Sequence, residues 1–135
     1  MRQVMYCVCL VLLSIPSAAL AEACLRYGTP AVTLSGIVTQ QTFFGPPNFG
    51  ETPEIDRRET QAVLMLAAPI CVKANSEEDA ERNQLQVTLV PRIKISLNAF
   101  DGKHVTVTGK LFHAHTGHHH TPLLLEMVSI RPTKH

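Results

Sequence analysis

The chain has 135 residues, of which 45% are hydrophobic, with 12 Lys and Arg against 11 Asp and Glu. This balance disfavours a nucleic-acid-binding protein, which needs a basic face to displace the counterions of the phosphates, and it disfavours electrostatic docking on a membrane. The length leaves room for one domain with one modest core.

The first 21 residues have the three regions of a secretory signal peptide. Arg2 precedes an apolar run from Val4 to Ile15, and small residues follow as far as Ala21. The run is about a dozen residues long, well short of the roughly 20 that cross a bilayer as a helix. We therefore predict cleavage after Ala21, one exported domain over residues 22–135, a periplasmic or secreted location and no membrane span.

Two cysteines remain after the predicted cleavage, Cys24 and Cys71, because Cys7 and Cys9 lie in the signal peptide. In an oxidising compartment such a pair is typical of one disulfide. The alternative makes both cysteines metal ligands, but neither lies in the close spacing of a zinc site. The sequence therefore favours a disulfide between Cys24 and Cys71.

Five segments show the apolar and polar alternation of β-strands. Helix is scarce and limited to two short segments, the first with a pattern that resembles a capping box. Five strands with a short helix before the fourth predict a small five-stranded β-barrel of the oligonucleotide/oligosaccharide-binding (OB) type, with a β-sandwich as the alternative. The strands are Val32–Thr39, Gln61–Leu66, Leu85–Val90, His104–Phe112 and Leu123–Val128, and the helical segments are Ser76–Arg82 and Ile95–Phe100.

A long loop with several prolines and three phenylalanines is predicted between the first two strands, from Phe43 to Glu54. Exposed phenylalanine is costly, so such a loop either packs down and plugs one end of the barrel or serves as a ligand-binding lid. The candidate ligand-binding residues are Phe43, Phe44, Pro46, Pro47, Asn48 and Phe49.

The segment from His113 to His120 contains five histidines in eight residues. A two-residue turn at Thr116-Gly117 would connect the fourth and fifth strands, and a four-residue loop is the alternative, because β-branched Thr116 disfavours a positive φ. With the two-residue turn, His115 faces His118 and His113 faces His120 on one side of the hairpin. Zinc or copper accepts two to four neutral imidazoles, so the predicted metal ligands are His113, His115, His118 and His120.

Three other interpretations of these histidines are a solvated loop, a structural hydrogen-bonded network and a cluster that becomes charged near its ordinary pKa of about 6.5. No spacing indicates a nucleophile with its base or a working pair of carboxylates, so an enzyme is disfavoured. Two functions remain. One is binding of zinc, copper or a small ligand, and the other is a non-enzymatic interaction module of the inhibitor or immunity type that binds an envelope partner.

The run from Gly102 to Leu124, GKHVTVTGKLFHAHTGHHHTPLL, resembles a family of small exported bacterial proteins known as domain of unknown function number 4431. The segments Gly45–Phe49 and Pro69–Val72 are similar to the same family, so the resemblance covers most of the chain after residue 21. The resemblance implies export and a compact β domain, and it implies no activity.

Overall fold

The computed structural model describes residues 23–133, and the predicted signal peptide lies outside the described residues. Each of the five strands contains one of the segments predicted from alternation and extends beyond it. The strands are β1 (Val32–Phe44), β2 (Arg58–Val72), β3 (Glu81–Pro91), β4 (His104–His113) and β5 (Leu123–Pro132).

The strands close into a barrel in the order β1-β2-β3-β5-β4. Neighbouring strands pair antiparallel, except that β3 and β5 pair in parallel. The pairing of β1 with β4 joins the first and last strands of the sheet, so the described strands form one closed barrel and not the two sheets of a sandwich. The predicted OB-type barrel is confirmed.

Alternation along the strands fills the barrel interior with aliphatic side chains. Gly36 of β1 and Gly109 of β4 allow neighbouring strands to approach closely, since a Cβ at either position would collide with the backbone oxygen of Met65 or Glu126. The largest fully buried side chains are Leu64, Leu111, Leu123, Leu124, Leu125 and Met127.

The helix predicted over Ser76–Arg82 is wrong. The Asn75 side-chain oxygen accepts hydrogen bonds from the backbone N–H groups of Glu77 and Glu78 at 2.8 and 2.7 Å. This local bonding offers the backbone an alternative to a helix. Helical structure within residues 23–133 is confined to the 3-10 turn Leu97–Phe100, inside the second predicted segment. No helix of that described region is long and apolar enough to cross a membrane.

Cys24 and Cys71 form a disulfide, with an S–S distance of 2.07 Å. The bond joins the segment before β1 to the end of β2, where the backbone N–H of Leu25 donates to the oxygen of Cys71 at 2.8 Å. The predicted disulfide is confirmed, and it removes both cysteines from the candidate metal ligands. A disulfide is consistent with an oxidising compartment.

Candidate functional site

The connection between β4 and β5 comprises residues 114–122, and we refer to it as the histidine connection. His113 pairs with Leu123 across the two strands. The connection is therefore longer than either loop expected from the sequence, and the two-residue turn at Thr116-Gly117 is wrong. This register forms neither of the predicted cross-strand pairs, His113 with His120 and His115 with His118.

Glu59 of β2 anchors two histidines of the connection. One carboxylate oxygen lies 2.6 Å from Nδ1 of His118, and the other lies 2.8 Å from Nε2 of His120. The hydrogen bond from His120 is the main cause that lowers the pKa of Glu59, against the opposing effect of burial. Gln61 lies two residues after Glu59 on the same face of β2, and its Nε2 donates to the backbone oxygen of His118 at 2.7 Å. Strand β2 therefore fixes the histidine connection through two adjacent side chains.

Two phenylalanines of the predicted binding loop pack against the histidine connection. Phe43 stacks on His120 with ring centroids 4.4 Å apart, and Phe49 meets His118 edge-on at 5.6 Å. The Phe49 ring also occupies the space that a Cβ at Gly117 would need. None of the three phenylalanines of this region belongs to the core cluster of the described residues, and Phe43 and Phe49 pack down on the histidine connection instead.

The rest of the predicted binding loop is held by Asp56. Its carboxylate accepts hydrogen bonds from the backbone N–H groups of Asn48 and Gly50 at 2.8 and 2.7 Å. Burial acts to raise the pKa of Asp56, but the backbone hydrogen bonds outweigh it and the pKa is lowered. Phe44 is the last residue of β1. The guanidinium carbon of Arg58 lies over the Phe44 ring, 3.7 Å from the ring centroid. The remaining candidates are the half-buried Pro46 and the exposed Pro47.

His113, at the end of β4, belongs to a separate cluster. Its Nε2 lies 2.8 Å from a carboxylate oxygen of Glu81, and its backbone N–H donates to Glu78 at 3.0 Å. Burial acts to lower the pKa of His113, but the carbonyl of Ala114 and the carboxylate of Glu81 outweigh it and raise the pKa. His113 therefore joins the end of β4 to the start of β3.

His115 and His119 form a third group. Their ring centroids are 4.6 Å apart, and both rings contact Phe112. The backbone N–H of His115 donates to Nδ1 of His119 at 3.1 Å, so this ring nitrogen carries no proton. Burial lowers the pKa of His119, which favours the neutral imidazole.

The histidine side chains therefore divide into three groups. Within residues 23–133, no three His, Cys, Asp or Glu side chains are grouped so as to hold a metal ion. Sequence reasoning missed Glu59 and Glu81, because both lie on strands far along the chain from the histidines and no local pattern marks them. The contacts are His118 and His120 with Glu59, His113 with Glu81, and His115 with the backbone oxygen of His113.

The barrel wall opens beside the histidine connection. In the described chain, the pairing of β2 with β3 ends at Val63 and Thr88. Beyond that point, residues 60–62 of β2 pair with β1 alone, and residues 89–91 of β3 pair with β5 alone. The opening between residues 60–62 and residues 89–91 is termed the β2–β3 slot.

The β2–β3 slot belongs to a pocket of about 470 Å³, a volume typical of small-ligand sites. Two polar atoms on its lining side chains, Gln40 Nε2 and Gln61 Oε1, are buried without a hydrogen-bond partner among the described residues. Each unpaired buried group costs about 1–3 kcal/mol. Sequence reasoning missed both glutamines, since nothing local distinguishes them from surface residues. The lining also includes Leu89, Ile95, Leu97, His118, His119 and Leu124.

Comparison with known protein families gives a match over most of β3, β4 and β5. Residues 84–131 match the model of a domain of unknown function, DUF4431. The match confirms the resemblance of this segment, and the family description assigns it no activity. No curated protein matches the chain.

The DUF4431 segment supplies only one side of the pocket. It contains the β3 edge of the slot and the histidine connection. Glu59, Gln40 and Gln61, which anchor the connection or line the pocket, precede the matched segment. The candidate site is therefore assembled from the DUF4431 segment and the two strands before it.

Proposed function

We propose that the protein is an exported, non-enzymatic binding module whose ligand occupies the β2–β3 slot. The main support is the pair of unpartnered amide atoms, Gln40 Nε2 and Gln61 Oε1, on side chains that line the pocket. Buried donors and acceptors are rarely left unpaired in native proteins, so each such atom calls for a physical reason. One such reason is a ligand that supplies the missing hydrogen-bond partners.

In this proposal the histidines serve mainly as anchors. Glu59 and Gln61 hold the connection against β2, and this contact places His118 and His119 at the border of the pocket. Export would bring the module to the periplasm or outside the cell, where the disulfide persists. Its ligand is then a small molecule or a protein segment of that compartment.

Binding at the β2–β3 slot is expected to change the NMR chemical shifts of its lining residues. Two probes are titrated to millimolar concentration into ¹⁵N-labelled residues 22–135: the uncharged peptide acetyl-Ala-Val-Ala-amide and the neutral sugar tri-N-acetylchitotriose. Shifts concentrated at residues 60–62, residues 89–91 and His118 with either probe support the proposal. Unchanged spectra with both probes, or shifts confined to the β1–β4 side of the barrel, contradict it.

A zinc or copper site is a second candidate, favoured by one observation. A single carboxylate, Glu59, contacts ring nitrogens of both His118 and His120. One ion in place of the two hydrogen bonds would have two imidazoles and a carboxylate as ligands, a set found in zinc enzymes. The rings would have to turn to form such a site, because the described side chains have no metal-binding arrangement as they stand.

The second candidate predicts near-stoichiometric, submicromolar binding of zinc or copper in titration calorimetry of residues 22–135. The double variant His118→Ala/His120→Ala should lose this binding, and the matched variant His113→Ala/His115→Ala should keep it. Loss in both variants would instead support the four-histidine site predicted from the sequence. Weak or absent binding to the parent would rule out both metal sites and leave the histidines as anchors.

A further inference from the structure

We infer that the ligand of the β2–β3 slot is an extended peptide segment that forms main-chain hydrogen bonds with the strand edges. The inference rests on the proposed function and names the chemical class of its ligand. It is drawn from the backbone of the two strands at the slot and from the two unpartnered amide atoms beside it.

Within residues 23–133, each strand at the slot has a neighbour on one side only. Residues 60–62 pair with β1, and residues 89–91 pair with β5. Backbone N–H and C=O groups alternate between the two sides of a strand, so a strand with one neighbour presents unpaired groups on its other side. Three residues extend about 10 Å, which matches a tripeptide. Pro91 has no N–H, so the donors on the β3 side come from the residues before it.

Gln40 and Gln61 lie on opposite faces of the β1–β2 pair and add one donor and one acceptor beside the slot. Gln40 Nε2 can donate to a carbonyl oxygen, and Gln61 Oε1 can accept from an N–H. Both side chains line the pocket. An anion would satisfy only the donor and a cation only the acceptor. A peptide main chain carries groups of both kinds, so a peptide paired with the strand edges can also satisfy the two glutamines.

The remaining lining of the pocket selects for uncharged side chains. Leu89, Ile95 and Leu97 give it an apolar surface, and among the described residues the ionisable side chains of the lining are those of His118 and His119. Alternate side chains of an extended peptide point to opposite sides, so one side chain of a tripeptide can enter the pocket while its neighbours face outward. The expected ligand is therefore an extended, uncharged segment with small apolar residues.

The main-chain contacts are tested with acetyl-Ala-Val-Ala-amide and the same peptide methylated on the valine nitrogen. Methylation removes one N–H donor and keeps every side chain. We expect the methylated peptide to bind at least about tenfold more weakly in NMR titrations of the parent protein, because it loses a hydrogen bond and adds bulk at the strand edge. Equal affinities would overturn the inference.

Gln40→Leu tests the side-chain contact. We expect it to weaken peptide binding about five- to tenfold and to raise the melting temperature, because it removes a buried donor that has no partner in the free protein. If Gln40 had only a structural role, Gln40→Leu would not combine a lower peptide affinity with a higher melting temperature. Gln41→Leu is the matched control, since the Gln41 amide lies 3.3 Å from the Met65 sulfur rather than in the pocket lining. Unchanged peptide affinity in Gln40→Leu would contradict the assigned contact.

The two probes separate failure of the inference from failure of the proposed function. If the chitotriose shifts the slot residues and the peptide does not, the ligand class is wrong and the binding module stands. If neither probe shifts them, both are wrong. Peptide binding at the slot with the expected loss on methylation supports both.

Discussion

Removal of the Cys24–Cys71 disulfide is expected to lower the free energy of unfolding by about 4 kcal/mol, because a cross-link over this span restricts the unfolded chain by about that amount. The two cysteines are separated by 47 positions in the sequence. For a domain of this size the loss corresponds to a melting temperature lower by about 15 °C. Thermal unfolding of residues 22–135 with and without a reductant measures it.

The double variant Cys24→Ala/Cys71→Ala serves as the control for the reductant. Reduction should bring the parent close to the melting temperature of the variant and should leave the variant unchanged. Identical melting temperatures for the oxidised and reduced parent would contradict the stabilising role of the disulfide.

Glu59→Gln is expected to lower the free energy of unfolding by about 2 kcal/mol, because it weakens two hydrogen bonds to an ionised carboxylate. Most of the loss should come from His120, whose side chain is 11% exposed, since the bond to His118, which is 58% exposed, is screened by solvent. Amide hydrogen exchange at His118–His120 should also become faster, because the anchor on β2 is weakened. Chemical denaturation and hydrogen exchange measure the two effects.

The pH dependence of Glu59→Gln identifies the charge as the cause. The pKa of Glu59 is lowered in the folded protein, so its contribution is complete above the ordinary glutamate pKa of about 4.3 and is lost as the pH falls through the lowered value. The stability difference between parent and variant should therefore shrink below about pH 4. Glu54→Gln, at an exposed position of the same loop region, should leave stability and exchange unchanged. Equal losses in the two variants would argue against a specific anchor at Glu59.

The strands were predictable because the signal for them is local. In β4, the alternation of Val105 and Val107 with threonines is visible in the sequence and reappears as alternating burial. The barrel order could be proposed because five strands with one short helical turn leave few arrangements. The helix at Ser76–Arg82 failed for an equally local reason, since Asn75 bonds to the backbone that a helix would have used.

The site was only partly predictable. The histidines stood out by their density, but their positions depend on Glu59 and Glu81, which are distant in sequence. The turn chemistry of Thr116-Gly117 suggested a tight hairpin, whereas the structure has a longer connection packed against Phe43 and Phe49. Periodicity could not reveal the β2–β3 slot, because it arises where the pairing of two strands ends.

The histidine connection and the β2–β3 slot are parts of one proposed site. Gln61 contributes to both, since its Nε2 holds the backbone of His118 and its Oε1 is left unpaired at the pocket. A change that loosens the connection should therefore also weaken a ligand in the slot. Glu59→Gln is expected to reduce peptide affinity although Glu59 does not itself line the pocket, because Glu59 holds His118, which does.

The crystal structure of residues 22–135 with acetyl-Ala-Val-Ala-amide tests the central claim most directly. We predict the peptide main chain in the β2–β3 slot, hydrogen-bonded to residues 60–62 or 89–91, with Gln40 and Gln61 in contact with the peptide. A peptide bound elsewhere on the barrel, or a slot free of peptide in crystals grown at saturating concentration, would contradict it.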